Sequence, residues 1–289
     1  LSHTALPITP GDAPPPLRLP EPGVLFRARA ERLEALAQDH AASEWLRFLA
    51  RLARGQDRAV RDVRVPALAP RHDGGPPLAS ALASRDPSWR AMLRVVLAAA
   101  RDGALPTEAS AAVARLEGAA PDVLEALADD VLGGAPADLA AAPFVGAAIQ
   151  AYLACFAAGL DPAAVEPRAG GCPVCGGAPV ASVVLGEARV RYLACGLCGA
   201  EWHLPRVQCP VCREAGGLSY LSVEGGPPGV TAETCKHCRA YLKVIDLAEA
   251  HGGDAVADDA ATLVLDLLVG ERGILRAGVN PLAPAGERA

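Results

Sequence analysis

Aromatic side chains are scarce in this 289-residue chain, at 4%, whereas apolar residues reach 51% and alanine supplies much of that share. So few rings disfavour an aromatic-rich β-sandwich, and so much alanine, the best helix former, favours close-packed helices. Charge of one sign is lacking too. There are 33 acidic residues against 27 basic ones, with no basic tail, so the electrostatic footprint of a general nucleic-acid binder is missing. The apolar runs Val95–Ala100 and Leu263–Val269 end at or are interrupted by charge well short of the roughly 18 residues that cross a bilayer. No membrane insertion is expected. Leu1 to Gly23 is proline-rich and holds neither a basic n-region nor an apolar h-region, so no secretory signal is expected in it. No H-E-x-x-H, G-x-S-x-G or phosphate-cradling glycine loop occurs, so no catalytic residue is assigned and an enzyme is not expected.

What is present divides by composition. At about 100–200 residues per domain, two or three domains are expected. Phe26, Ala30, Leu33 and Ala37 fall on one helical face. After Ser43, a plausible N-cap, Trp45, Phe48, Leu49 and Leu52 repeat the spacing. Helical segments follow around Trp89 to Val96, Val123 to Val131 and Val145 to Phe156, punctuated by Pro87, Gly103, Pro106, Pro121 and Pro136. A boundary falls near Asp161 to Gly171, because eight cysteines and short β-prone runs lie between Glu166 and Ala250. A last helix is expected after Ala250, capped by Asp258 or Asp259, with Leu263, Leu267 and Leu268 facing inward. The predicted class is α+β: a proline-rich segment (1–23), a helical bundle (24–165), two small rubredoxin-like or zinc-ribbon-like β units (166–208 and 209–250) and a C-terminal helix and tail (251–289).

The cysteines form an internal repeat. Cys172 and Cys175 match Cys209 and Cys212 at an offset of 37, and Cys195 and Cys198 match Cys235 and Cys238 at an offset of 40. Within each copy, β-prone segments flank a glycine turn: Val180 to Leu185 and Ala188 to Leu193 around Gly186-Glu187, then Leu218 to Val223 and Val230 to Thr234 around a Gly/Pro loop. A C-x-x-C bends two thiolates around one ion, so four such pairs make two closed tetrahedral sites. Gly176 and Gly199 follow the second cysteine of a pair, where a knuckle turn takes left-handed backbone. Pairing neighbouring knuckles makes each repeat a complete unit, although a nested pairing uses the same ligands. Four thiolates suit zinc and mononuclear iron alike, and neither closed site leaves a position for Lewis-acid catalysis. Four disulfides would need an oxidising compartment. A thioredoxin-like dithiol would need a helix after Cys175, where Gly176-Gly177-Ala178-Pro179 stands. Cys155 reads as a buried small hydrophobe on a helix face.

Beyond the spacing, Cys172-Pro-Val-Cys175-Gly, Arg191-Tyr-Leu-Ala-Cys195-Gly-Leu-Cys198 with Glu201-Trp202-His203, and Glu233-Thr-Cys235-Lys-His-Cys238 running into Tyr241-Leu-Lys243 resemble the FdhE family of formate dehydrogenase accessory proteins. Weaker likeness extends to Phe144–Phe156, Asp258–Leu268 and Asn280-Pro281-Leu282. The resemblance implies a cytoplasmic maturation factor, chaperone-like, that binds the catalytic subunit of a molybdenum- or tungsten-dependent formate dehydrogenase. It also implies two mononuclear metal ions, each held by four cysteines, with iron favoured over zinc. Glu201, Trp202, His203, Tyr241 and Lys243 are expected as family-specific surface that meets the partner, against the plainer reading of a packed ribbon core. Two other classes stay open: a rubredoxin-like electron-transfer protein, and a nucleic-acid-binding zinc ribbon. The latter is disfavoured because Glu166 to Ala250 holds eight Lys/Arg and eight Asp/Glu.

Overall fold

The computed structural model describes residues 13–68, 74–134, 136–168 and 170–283. Helices come first: α1 (Pro22–Leu36), α2 (Ser43–Asp62), α3 (Ala79–Ala83), α4 (Ser88–Ala100), α5 (Thr107–Gly118), α6 (Pro121–Leu132) and α7 (Ala142–Ala158). Proline in the first turn opens α1, α6 and α7, where its missing N–H has no helical partner to lose. Ser43 is not the cap expected of it. Ala42 holds that position and the Ser43 hydroxyl accepts from Arg47 Nη1 instead, at 3.3 Å.

The inward faces read from the sequence are buried: Phe26, Ala30, Leu33, Phe48, Leu49, Leu52, Trp89, Met92 and Val96. Among them α7 is the hub. It carries no charge over 17 residues, and nearly all of them are buried, the behaviour of a helix that is apolar all round. Helices α2, α4 and α6 pack on it. Close approach is built in at Gly55, where a Cβ would stand 2.9 Å from the Val96 Cα of α4.

The strands are β1 (Leu17–Arg18), β2 (Pro179–Leu185), β3 (Val190–Cys195), β4 (Glu201–His203), β5 (Leu218–Leu221), β6 (Val230–Cys235), β7 (Ala240–Asp246) and β8 (Leu275–Arg276). Each cysteine repeat supplies an antiparallel meander, and the two meanders are not separate: β2 and β7 pair in parallel, Ala181 opposite Lys243 and Val183 opposite Ile245. One mixed sheet results, in the order β1-β4-β3-β2-β7-β6-β5, with β8 beside β7. Gly186 at φ 70° closes the β2–β3 turn. Leu17–Arg18, from the proline-rich segment, adds the edge strand beside β4.

Between β7 and β8 come two short helices, α8 (Ala255–Ala260) and α9 (Leu263–Gly270), rather than one. The cap is Asp254, whose carboxylate accepts from the N–H groups of Val256 and Ala257. Asp258 and Asp259, expected as caps, lie inside as buried ion-pair partners. The expected inward face of α9 is also corrected. Leu265 and Val269 are buried, while Leu263, Leu267 and Leu268 are exposed. The reason is electrostatic: Asp266 reaches Lys243 Nζ at 2.6 Å and receives the Tyr241 hydroxyl at 2.8 Å, which fixes the helix rotation and turns the neighbouring leucines outward.

Candidate metal centres and what holds them

Every knuckle is the same turn. The N–H of the residue after the second cysteine donates to the carbonyl of the first: Gly176 to Cys172 (2.8 Å), Gly199 to Cys195 (3.3 Å), Arg213 to Cys209 (3.1 Å) and Arg239 to Cys235 (3.0 Å). All four of these residues have left-handed backbone, with φ of 84°, 74°, 65° and 56°. The two glycines were legible as such from the sequence, but the two arginines were not. Backbone N–H groups of Leu197 and Val211 point at the sulfurs of Cys195 and Cys209, both at 3.4 Å, as thiolate knuckles require.

Four sulfurs converge in each unit: Cys172, Cys175, Cys195 and Cys198, then Cys209, Cys212, Cys235 and Cys238, with all Sγ atoms of a group within 4.8 Å of one another. Neighbouring knuckles therefore pair and the nested arrangement does not form. Sγ separations are 3.6 Å (Cys172–Cys198) and 3.4 Å (Cys175–Cys195) in the first group, and 3.7 Å (Cys209–Cys238) and 3.8 Å (Cys212–Cys235) in the second. A disulfide would be about 2.05 Å. The edge of a tetrahedron with metal–sulfur bonds of about 2.3 Å is about 3.8 Å. The donor set thus fits one four-coordinate ion per unit, with no ligand position left over.

In each group one thiol is shifted toward ionisation by its neighbours, and these two, Cys195 and Cys235, are repeat equivalents. Hydrogen bonds from Cys172, Cys175 and Cys198 hold the Cys195 thiol well below its ordinary value. Burial works against ionisation of Cys235, yet N–H donors of Cys238 and His237 and the thiols of Cys209 and Cys212 bring it down to about 7. Burial drives Cys198 well up and pushes Cys209 up to about 12.

The supports around the first group come from the whole molecule. Gln150 of α7 donates to the Gly196 carbonyl inside the knuckle at 2.6 Å and accepts from Gln56 of α2 at 2.8 Å. Leu78 N–H donates to the Val174 carbonyl. Between the two units lies a buried ion pair, Arg191 with Glu233 at 2.8 Å. Arg191 also donates to the carbonyls of Leu204, Pro205 and Gln208 in the connecting segment, and the Tyr220 hydroxyl donates to Glu233. No role was assigned to Arg191 or Glu233 from the sequence; the available signal was a lone cation inside the apolar strand Val190–Cys195.

Of the five residues expected at a partner surface, three are buried and Glu201 and His203 are partly exposed while touching the N-terminal segment. Arg18 pairs with Glu201 at 2.8 Å, His203 N–H donates to the Pro16 carbonyl, and the Tyr192 hydroxyl donates to Pro15, so Glu201 and His203 hold the N-terminal segment. Burial, with Arg191 nearby, keeps the His203 imidazole below its usual value. Trp202, Tyr241 and Lys243 are buried, which corrects their expected exposure. Lys243, 1% exposed, sits between Asp259 at 3.1 Å and Asp266 at 2.6 Å, and its role is to dock α8 and α9 on the sheet. Cys155 is half-buried and lines a cavity of about 610 Å³ with Phe156, Leu160 and Val165.

A helical domain here carries a fused pair of four-cysteine ribbons, each with a sulfur group that could hold a metal ion. The chain belongs to the FdhE family. Its N-terminal family profile matches residues 14–170, the central domain 171–206 and the C-terminal domain 207–283. Similar proteins include the FdhE homolog of Edwardsiella ictaluri, 40% identical over 94% of this chain and 92% of that protein, and FdhE of Salmonella enteritidis, 35% identical over 96% and 93%. The crystal structure of the FdhE protein from Pseudomonas aeruginosa superposes with a TM-score of 0.83 at 36% identity, covering 94% of this chain and all of that one.

Proposed function

We propose that this protein is a cytoplasmic, non-catalytic maturation factor for formate dehydrogenase, binding the catalytic subunit with a surface that two metal ions, each bound by four cysteines, hold in shape. Membership of the FdhE family carries the accessory role. The reading of the sulfur groups as metal sites rests on their convergence, their separations and the knuckle turns that carry them. Iron is the proposed ion, zinc the alternative. No helix of the described residues is long and apolar enough to cross a membrane. Of the five residues expected to meet the partner, Glu201 and His203 retain partial exposure and are the two proposed to reach it.

The test is formate-dependent dye reduction in extracts of a strain deleted for this protein, complemented with the chain or with Cys172→Ser, with catalytic-subunit abundance measured alongside. The expected outcome is lost activity with the subunit still present. Full rescue by Cys172→Ser would remove the metal-held surface from the mechanism. A redox role for iron, in the manner of rubredoxin, is the second reading, favoured by the all-thiolate donor sets. Protein purified anaerobically from its own host with zinc alone excludes it, since zinc has no second oxidation state to use.

A further inference from the structure

The two sulfur groups share ligands and turns but not surroundings. In the first, all four cysteines are buried, and the cover comes from far along the chain. A Cβ on Gly199 would meet Leu25 of α1 at 2.8 Å and Pro20 at 3.3 Å; one on Gly196 would meet the Val279 carbonyl at 3.3 Å and Pro281 at 3.4 Å; one on Gly176 would meet Pro76 at 3.4 Å. With the Gln150 clamp on the Gly196 carbonyl, the helical domain and the C-terminal segment both press on this knuckle pair. In the second group Cys209 and Cys235 are buried but Cys212 and Cys238 are partly exposed, and neighbouring Val207 and Val211 are 65% and 42% exposed. From outside the unit, the carbonyls of Arg272 and Gly273 receive the Arg239 guanidinium.

We propose that the two metal sites are unequal in exchange: the first ion is locked into the core, and the second, at the solvent-facing knuckles of Cys209/Cys212 and Cys235/Cys238, is the one that enters and leaves the folded protein. This rests on the metal reading of both groups. Releasing an ion from a thiolate knuckle requires a sulfur to swing away and a competing ligand to approach. At Cys212 and Cys238 a smaller opening suffices, release of the turn itself and of the 272–275 contacts on Arg239. At Cys172 and Cys198 the knuckle must first separate from α1, α7 and the 279–281 segment, which is opening of a much larger cooperative unit. The exchangeable site is therefore the one through which metal supply or oxidation acts on this protein, while the first site persists as part of the fold.

The experiment loads the full chain with zinc, counts ions by native mass spectrometry, and follows release to excess EDTA by quenching samples over time. Two ions are expected to leave in two equal phases, with the ion of the second group faster by about tenfold or more, as local opening is less costly than subglobal opening. Cys238→Ser is expected to bind a single ion that leaves at the slow rate. Leu25→Ala, which thins the cover over the first knuckle pair without touching a ligand, is expected to speed the slow phase alone. Two ions leaving together, a fast-leaving ion in Cys238→Ser, or a Leu25→Ala effect confined to the fast phase each overturn the inequality while leaving the metal reading intact. A chain that takes up no zinc and no iron overturns the metal reading and the inequality with it.

Discussion

At the scale of single residues, the repeat tolerates different chemistry at equivalent positions as long as the backbone agrees. Gly176 and Gly199 adopt left-handed backbone freely, whereas Arg213 and Arg239 hold the same conformation against the clash of their Cβ, a penalty of roughly 1–2 kcal/mol for an ordinary residue. Arg213→Gly is expected to raise stability, read from the denaturant midpoint, by up to about 1 kcal/mol, since glycine removes that strain but adds unfolded-state entropy. Arg239→Gly should gain less, because its guanidinium bonds to the Arg272 and Gly273 carbonyls are lost. A midpoint that falls in Arg213→Gly would show that the arginine is held by something stronger than its backbone preference. Cys155 follows a different rule. Burial alone pushes its thiol up to about 11, so the fraction of reactive thiolate grows about tenfold per pH unit well past the point where an ordinary cysteine levels off. Iodoacetamide labelling of Cys155, read by peptide mass, is expected to be slow at about pH 8 and still rising above about pH 9.

At the scale of elements, charge decides how the C-terminal helices sit. Lys243 of β7, Arg276 of β8 and Asn280 converge on Asp259, which is fully buried, and Arg29 and Arg32 of α1 reach Asp254 and Asp258. Burial opposes the charge on Asp259, but Lys243 and Arg276 outweigh it and hold the carboxyl below the usual carboxylate range. A carboxyl with a depressed folded value contributes stability above its unfolded value and loses it as pH falls through the folded one. Asp259→Asn is therefore expected to weaken the protein at neutral pH by about 3 kcal/mol, the scale for breaking a buried pair. It should also show a shallower loss of stability on acidification, measured by urea unfolding at several pH values. Equal pH dependence in the two proteins would remove Asp259 from acid unfolding. The same cluster explains why the rotation of α9 escaped the hydrophobic pattern: leucines at 263, 267 and 268 form a plausible inward stripe, but one carboxylate with two buried partners sets the angle.

At the scale of the whole molecule, two kinds of cohesion meet. The helices bury a continuous apolar core around α7 that extends into β2, β3 and β7, and the knuckles add a second kind of closure at the strand ends. On the proposed metal reading, a thiolate site that forms only in the folded chain turns metal affinity into folding energy for the sheet. Stripping the ions is expected to leave most of the far-UV helical signal in place while amides of β2, β3, β6 and β7 lose protection in hydrogen exchange. Unchanged protection of those strands in metal-free protein would show that the sheet stands without its ions. Gln56 and Gln150 make the polar link from the helices into the first knuckle pair, so amides of α7 near Gln150 should show a secondary loss.

The sequence by itself picked out the eight cysteines and their repeat, the hairpin turns and the helical character of the first half, because cysteine spacing and apolar periodicity are local properties, whereas the choice of neighbouring over nested pairing came from the structure. It also carried the family likeness in the motifs around the knuckles. Only the tertiary structure decided that the two repeats fuse through the parallel pair of β2 and β7, that residues 17–18 complete the sheet edge, and that Tyr241 and Lys243 face inward rather than toward a partner. Those outcomes depend on backbone hydrogen bonds and ion pairs between distant segments, such as Arg29 with Asp254, 225 residues apart. No local pattern records such a partner, since a charged residue looks the same in sequence whether water or a buried counter-charge receives it.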